Sequence, residues 1–150
     1  MQSEELRIYN VECIMRDRTN SEFVFERDVE YGNAVLTKSF EFAVRIVNFY
    51  KYSIKKDNSL YPLLKQLLRS GNSIGANISE AQSAFTKKDF INKLGISLKE
   101  CRETEYWLKL LKETDHLLEK EFVSIHSDCI ELIKLLTAII KSSKQSSSTL

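Results

Sequence analysis

Four stretches of this chain space their apolar residues alternately four and three apart, and none of them slips phase. Such spacing gathers the residues on one side of an α-helix, and each such side must be buried against another element. Helix A, about 34–56, carries Leu36, Phe40, Ala43, Val47, Tyr50 and Ile54. Helix B, about 60–84, carries Leu60, Leu64, Leu67, Gly71, Ile74, Ile78 and Ala81, with Phe85 just beyond it. Helix C, about 87–114, carries Phe90, Leu94, Ser97, Cys101, Thr104, Leu108 and Leu111. Leu118 leads into helix D, about 119–142, with Phe122, Ile125, Cys129, Leu132, Leu136 and Ile139. The same spacing marks helices that cross at shallow angles, and the connections between them are short, so sequential helices should be antiparallel neighbours. The expected fold is all-α, an antiparallel up-and-down four-helix bundle spanning 33–142.

The breaks agree with this division. Asp57-Asn58-Ser59 ends helix A, and Pro62 falls in the first turn of helix B, where its missing N–H costs nothing. Thr86-Lys87-Lys88-Asp89 reads as an N-cap followed by an acid at the third helical position, and Thr114-Asp115-His116 lies at the C-to-D turn. One proline and four glycines in 150 residues suit long helices and exclude a turn-rich β domain. No apolar run approaches the roughly 18–20 residues of a membrane span, and the start MQSEELR lacks the pattern of a signal peptide. Cys13, Cys101 and Cys129 are an odd number without a disulfide-framework spacing, so a cytoplasmic location is expected.

The ends differ from the body. Residues 1–32 hold eight acids and four basic residues, a charge of −4, whereas 33–150 carry 18 basic and 13 acidic residues, a charge of +5. An acidic arm on a mildly basic body falls short of the footprint of a dedicated DNA-binding domain. Within the arm Tyr9, Val11, Cys13 and Met15 alternate and Phe23-Val24-Phe25 follows a turn-like stretch. A hairpin fits that pattern, but a lone hairpin is marginal, and the arm is given no element. Residues 143–150, rich in serine, read as a disordered tail.

Helices A and D carry second apolar stripes: Phe42, Ile46 and Phe49 on A, and Val123, His126, Ile130, Ile133, Thr137 and Ile140 on D. One core needs about three apolar positions in seven. The excess could mean a deeper core, but a four-helix bundle has no central helix, so a self-association surface is favoured.

Helix B places Gly71 and Gly75 four apart, at about 1 kcal/mol each relative to alanine. Close approach of a neighbouring helix would offset that cost. A phosphate-cradling loop fails, because neither the Gly-Lys-Ser/Thr ending nor a preceding strand is present. Beside the apolar stripe run Gln66, Ser70, Ser73, Asn77 and Glu80, a polar ridge that Arg69 could join to Glu100 and Glu103 of helix C. An interhelical network fixing register is the plainer reading, and a lined pocket the sharper one.

Catalytic and metal chemistry find little footing. Glu113-Thr114-Asp115-His116 matches the Glu-x-x-His of carboxylate metal bundles once, at a helix end, with no second copy. His126 and Cys129 are two potential ligands and do not close a zinc site. No nucleophile has a histidine at predictable reach, so no enzyme, metal or cofactor is expected.

The run 66–81, QLLRSGNSIGANISEA, strongly resembles the signature of the 23S rRNA intervening-sequence protein family, as do Lys88-Asp89-Phe90-Ile91 and 98–108, LKECRETEYWL. The similarity covers about 33–142. It implies an antiparallel four-helix bundle assembled into a ring-like homopentamer, in keeping with the second stripes. A related group, the accessory proteins of diversity-generating retroelements, are basic pentamers that bind a reverse transcriptase and its RNA. Two functions follow. In the first, an accessory protein binds RNA through Lys51, Lys55, Lys56, Lys87, Lys88, Lys141 and Lys144, contacting phosphates without reading sequence. In the second, the ring is a protein-binding scaffold for a partner such as a reverse transcriptase.

Overall fold

The computed structural model describes the backbone of residues 22–145 and the side chains of 34–145. Four helices follow one another: α1 (Glu22–Lys56), α2 (Tyr61–Ala81), α3 (Lys87–Glu113) and α4 (Glu119–Gln145), with a 3-10 turn (Asn58–Leu60) between the first two. Each packs against the next and α4 closes against α1, giving a four-helix bundle. The pairings run in opposite directions along each neighbour. Ser70, Ile74 and Glu80 of α2 meet Thr104, Ser97 and Lys93 of α3 in that order. Lys38 and Arg45 of α1 meet Glu131 and Asp128 of α4.

The core lines of α2, α3 and α4 follow the sequence spacing. Leu64, Leu67, Ile74 and Ile78 face Leu94, Cys101, Leu108 and Leu111, with Ile125, Cys129, Leu132 and Leu136 completing the interior. Phe85 and Leu118 depart from it, both standing exposed while Leu117 is buried. Both lie in turns, where the helical phase that placed them no longer applies.

Helix α1 is rotated by one residue from the expected phase. Its inward line is Val35, Ser39, Phe42, Ile46 and Ser53, with Phe49 partly buried against it, and Phe40 is 71% exposed. Two serines interrupt that line, so the adjoining, wholly apolar stripe looked the better core. The serines fit because α2 comes close: a Cβ built on Gly75 would lie 3.4 Å from the Ser39 carbonyl oxygen. The Ser39 hydroxyl is satisfied by donating to the Leu36 carbonyl at 3.0 Å. Gly71 faces the same helix, its missing Cβ falling 3.0 Å from two carbons of Ile46. The neighbour that the two glycines admit is therefore α1.

The boundaries also move. Helix α1 begins at Glu22 rather than near residue 34, so most of the acidic excess falls on its first turns. The sequence from Glu26 to Asn33 is mostly polar, so no apolar repeat marked this stretch. Helix α4 continues to Gln145, past the expected start of the tail. The hairpin considered for residues 9–15 and the tail residues 146–150 lie outside the described residues.

Thr86 caps α3 by accepting the Asp89 amide at 3.1 Å. At the other end of α3 the His116 amide reaches back to the Leu111 carbonyl and the Asp115 amide to Lys112. That pair of bonds is a Schellman closure, and it puts Asp115 at φ 60.

Candidate functional site

The polar ridge of α2 divides into three parts. Arg69 donates to both oxygens of Glu100, at 3.3 and 3.4 Å, to Glu103, and to Gln66 at 3.4 Å. Trp107 donates its indole N–H to the same Glu103 oxygen at 3.2 Å. The guanidinium beside Glu103 holds that carboxyl below the usual carboxylate range. Arg69, Glu100 and Glu103 are thus joined as expected, at the partly exposed seam of α2 and α3. Ser73 and Asn77 are not part of this group: the Asn77 amide donates to the Ser73 carbonyl one turn back. Glu80 is also separate, paired with Lys93 at 2.5 Å.

Beneath the seam lies a buried hydroxyl layer. Thr104 donates to Ser70 at 2.9 Å, and Ser97 donates to the Ile74 carbonyl at 2.9 Å. Small side chains let α2 and α3 approach, and their hydroxyls are satisfied inside the bundle, so none is left aimed at a ligand.

A second charged cluster, not anticipated from the sequence, joins α3 to α4. Glu105 receives Lys109 at 2.6 Å, Arg102 at 3.3 Å and His126 at 3.2 Å. These hydrogen bonds, Lys109 foremost, hold the Glu105 carboxyl down to about 2. Arg102 and Lys109 stand at helical spacing from Glu105 and were legible in principle. His126 was not, since its approach depends on the α3–α4 register.

The proposed self-association residues fare unevenly. Phe42, Ile46 and Ile133 are buried within the single chain, so they have no outer surface to offer. Phe49, Ile130 and Ile140 are half-buried against the core. His126 faces Glu105 within the chain and stacks on Phe122 at 4.8 Å between ring centres. Of the stripe residues only Val123 and Thr137 are exposed, Val123 beside a shallow depression on the outer side of α4.

All seven candidate lysines are exposed, and the fold sorts them between the two ends of the bundle. Lys51, Lys55 and Lys56 close α1 at one end. Lys87 and Lys88 open α3, and Lys141 and Lys144 end α4, at the opposite end. Lys51, Lys55, Lys56, Lys88, Lys141 and Lys144 form no ion pair among the described residues. On the flanks, by contrast, Lys38, Arg45, Arg69, Lys93 and Lys112 are each held by a carboxylate.

Cys101 and Cys129 are buried and unbridged, and burial pushes the Cys129 thiol up to about 12, far from a reactive thiolate. Among the described residues no cluster of His, Cys, Asp and Glu could hold a metal ion, and no helix is long and apolar enough to cross a membrane.

The family model of the 23S rRNA-intervening sequence protein matches residues 32–138. A crystal structure from Bacteroides thetaiotaomicron VPI-5482, described as a protein with unknown function from the S23 ribosomal protein family, is 52% identical. The match covers 74% of this chain and 98% of that one, at a TM-score of 0.72. A search of curated proteins found no match.

Proposed function

Since this chain belongs to the 23S rRNA-intervening sequence protein family, we propose that it is a non-catalytic, self-associating accessory protein that binds RNA through its phosphates. The observation that carries this reading is the set of exposed lysines at the two ends of the bundle that pair with no carboxylate among the described residues. Ammonium groups left in water keep their charge available to displace counterions from a polyanion. Self-association would repeat the modest +5 of residues 33–150 around one assembly, making each further contact intramolecular. Exposed Phe40 and Val44 on α1 and Val123 on α4 support such association. The test is fluorescence anisotropy of a labelled structured RNA at low and physiological salt. Binding should fall steeply with salt and weaken when Lys55, Lys56, Lys141 and Lys144 are changed to Glu. Absence of binding at low salt would overturn the reading in favour of a scaffold for a protein partner such as a reverse transcriptase.

A further inference from the structure

Resting on the RNA-binding reading, we infer that the outward face of α3 is the track along which single-stranded RNA lies. Directly opposite the buried line of α3 stand Lys88, Gly95, Lys99, Arg102, Tyr106 and Lys109, separated by multiples of the helical repeat. They span about 32 Å of helix at 1.5 Å per residue. Lys88, Lys99, Arg102 and Lys109 are exposed, and Tyr106 is 58% exposed with its ring edge-on to Trp107 at 5.0 Å. The acids bordering this line are partnered, Glu105 by two of the line's own cations. Lys88 and Lys99, which form no ion pair among the described residues, therefore carry the line's unpaired charge. Glu105 lies mostly covered between Arg102, Lys109 and His126, and Glu103 is held by Arg69 and Trp107. Glu113 comes only beyond its end.

Gly95 supplies an independent observation. A Cβ there would meet nothing within 4 Å, whereas Gly71 and Gly75 each admit α1. The helix forgoes a side chain in the middle of a basic face without any packing return inside the chain. A bare backbone flanked by Lys99 and Lys88 lets a phosphodiester strand approach closely, and Tyr106 offers a ring on which one base can stack. Alternating cations and an aromatic along a straight face suit a strand that is held without sequence readout. Lys88 also belongs to one of the two lysine clusters, so the track begins at an end of the bundle already rich in cations.

The experiment is an anisotropy titration of fluorescein-labelled oligouridylate with the full chain and three variants, Lys99→Glu, Tyr106→Ala and Gly95→Leu. The changed side chains point to solvent, and circular dichroism checks that each variant folds. Lys99→Gln repeats the first test without charge reversal. Each variant is expected to weaken binding, Tyr106→Ala by about tenfold. Lys99→Gln should reduce the slope of log affinity against log salt by about 0.7. Wild-type binding unchanged by the α3 variants but lost on substitution of Lys55, Lys56, Lys141 and Lys144 would overturn the track and leave the RNA-binding reading standing. No binding by the wild-type chain to this or a structured RNA would overturn both.

Discussion

Among the residues whose side-chain surroundings are described, three glycines sit in helices, Gly71, Gly75 and Gly95, and changing each to alanine isolates the effect of helix approach. In every case the substitution gains about 1 kcal/mol of helix propensity, so the three variants differ only in what the new methyl meets. At Gly95 it meets nothing within 4 Å, and the whole gain should appear as stability. At Gly75 the nearest atoms belong to Ser39, at 3.4–3.6 Å, ordinary contact distances that leave most of the gain intact. At Gly71 the methyl would lie 3.0 Å from both Cγ1 and Cγ2 of Ile46. Ile46 is fully buried and has nowhere to retreat, so overpacking of about 1–3 kcal/mol outweighs the propensity gain. The expected net effects are about +1 kcal/mol for Gly95→Ala, near +0.5 for Gly75→Ala and about −1 for Gly71→Ala. For a chain of this length each kcal/mol shifts Tm by about 2–4 °C, which thermal melts resolve. Ile46→Val should not rescue Gly71→Ala, because both crowded carbons survive it. Ile46→Ala removes them, and the Gly71→Ala/Ile46→Ala pair should be less destabilised than the sum of its singles by about 1 kcal/mol. Equal Tm shifts at all three positions would refute the idea that α1 and α2 are held at glycine-limited distance.

Two further predictions concern a turn and a cluster. Asp115 occupies the left-handed position of the Schellman closure at φ 60, so Asp115→Gly should raise stability by about 0.5–1 kcal/mol in urea melts, and a loss would show that the carboxylate contributes there. Glu105 has a folded pKa near 2 against an ordinary 4.5, so its contribution is complete above about pH 5 and disappears as pH falls toward 2. Its magnitude is of the order of 2–3 kcal/mol, and Glu105→Gln should lower stability at neutral pH and flatten the Tm–pH curve between about pH 5 and 2. Parallel acid limbs for the two proteins would show that Glu105 is not held by its neighbours.

The bundle was legible from spacing because burial acts on every third or fourth residue of every helix. Where the reading slipped, a second constraint competed with apolarity. On α1, close approach to α2 placed Ser39 on the inward line, and on that evidence the neighbouring stripe of Leu36, Phe40 and Ala43 looked like the core. The misplaced self-association residues follow from the same one-residue rotation, which turned Phe42 and Ile46 into apparent surface. Ile133 failed differently: α4 buries a wider arc than one line, holding Leu132 and Ile133 together. The pairing of His126 with Glu105 needed the α3–α4 register, which periodicity within either helix leaves undetermined.

The most distinctive run of the sequence is almost entirely consumed by packing. Between Arg69 and Glu80, Ser70 meets Thr104, Gly71 and Gly75 admit α1, and Ile74 and Ile78 fill the core. Asn77 turns back on its own helix, while Arg69 and Glu80 are tied to α3. A recognisable stretch most of whose residues are used inside the chain specifies how α1, α2 and α3 fit together and says little about what the protein holds. Resemblance carried on such a stretch transfers the fold more securely than the ligand. Chemistry directed outward must instead come from side chains the fold does not use. In this chain these are Lys51, Lys55, Lys56, Lys88, Lys141 and Lys144 at the bundle ends and Lys99 beside Gly95 on α3, where the helix retains a costly residue that no neighbouring helix explains.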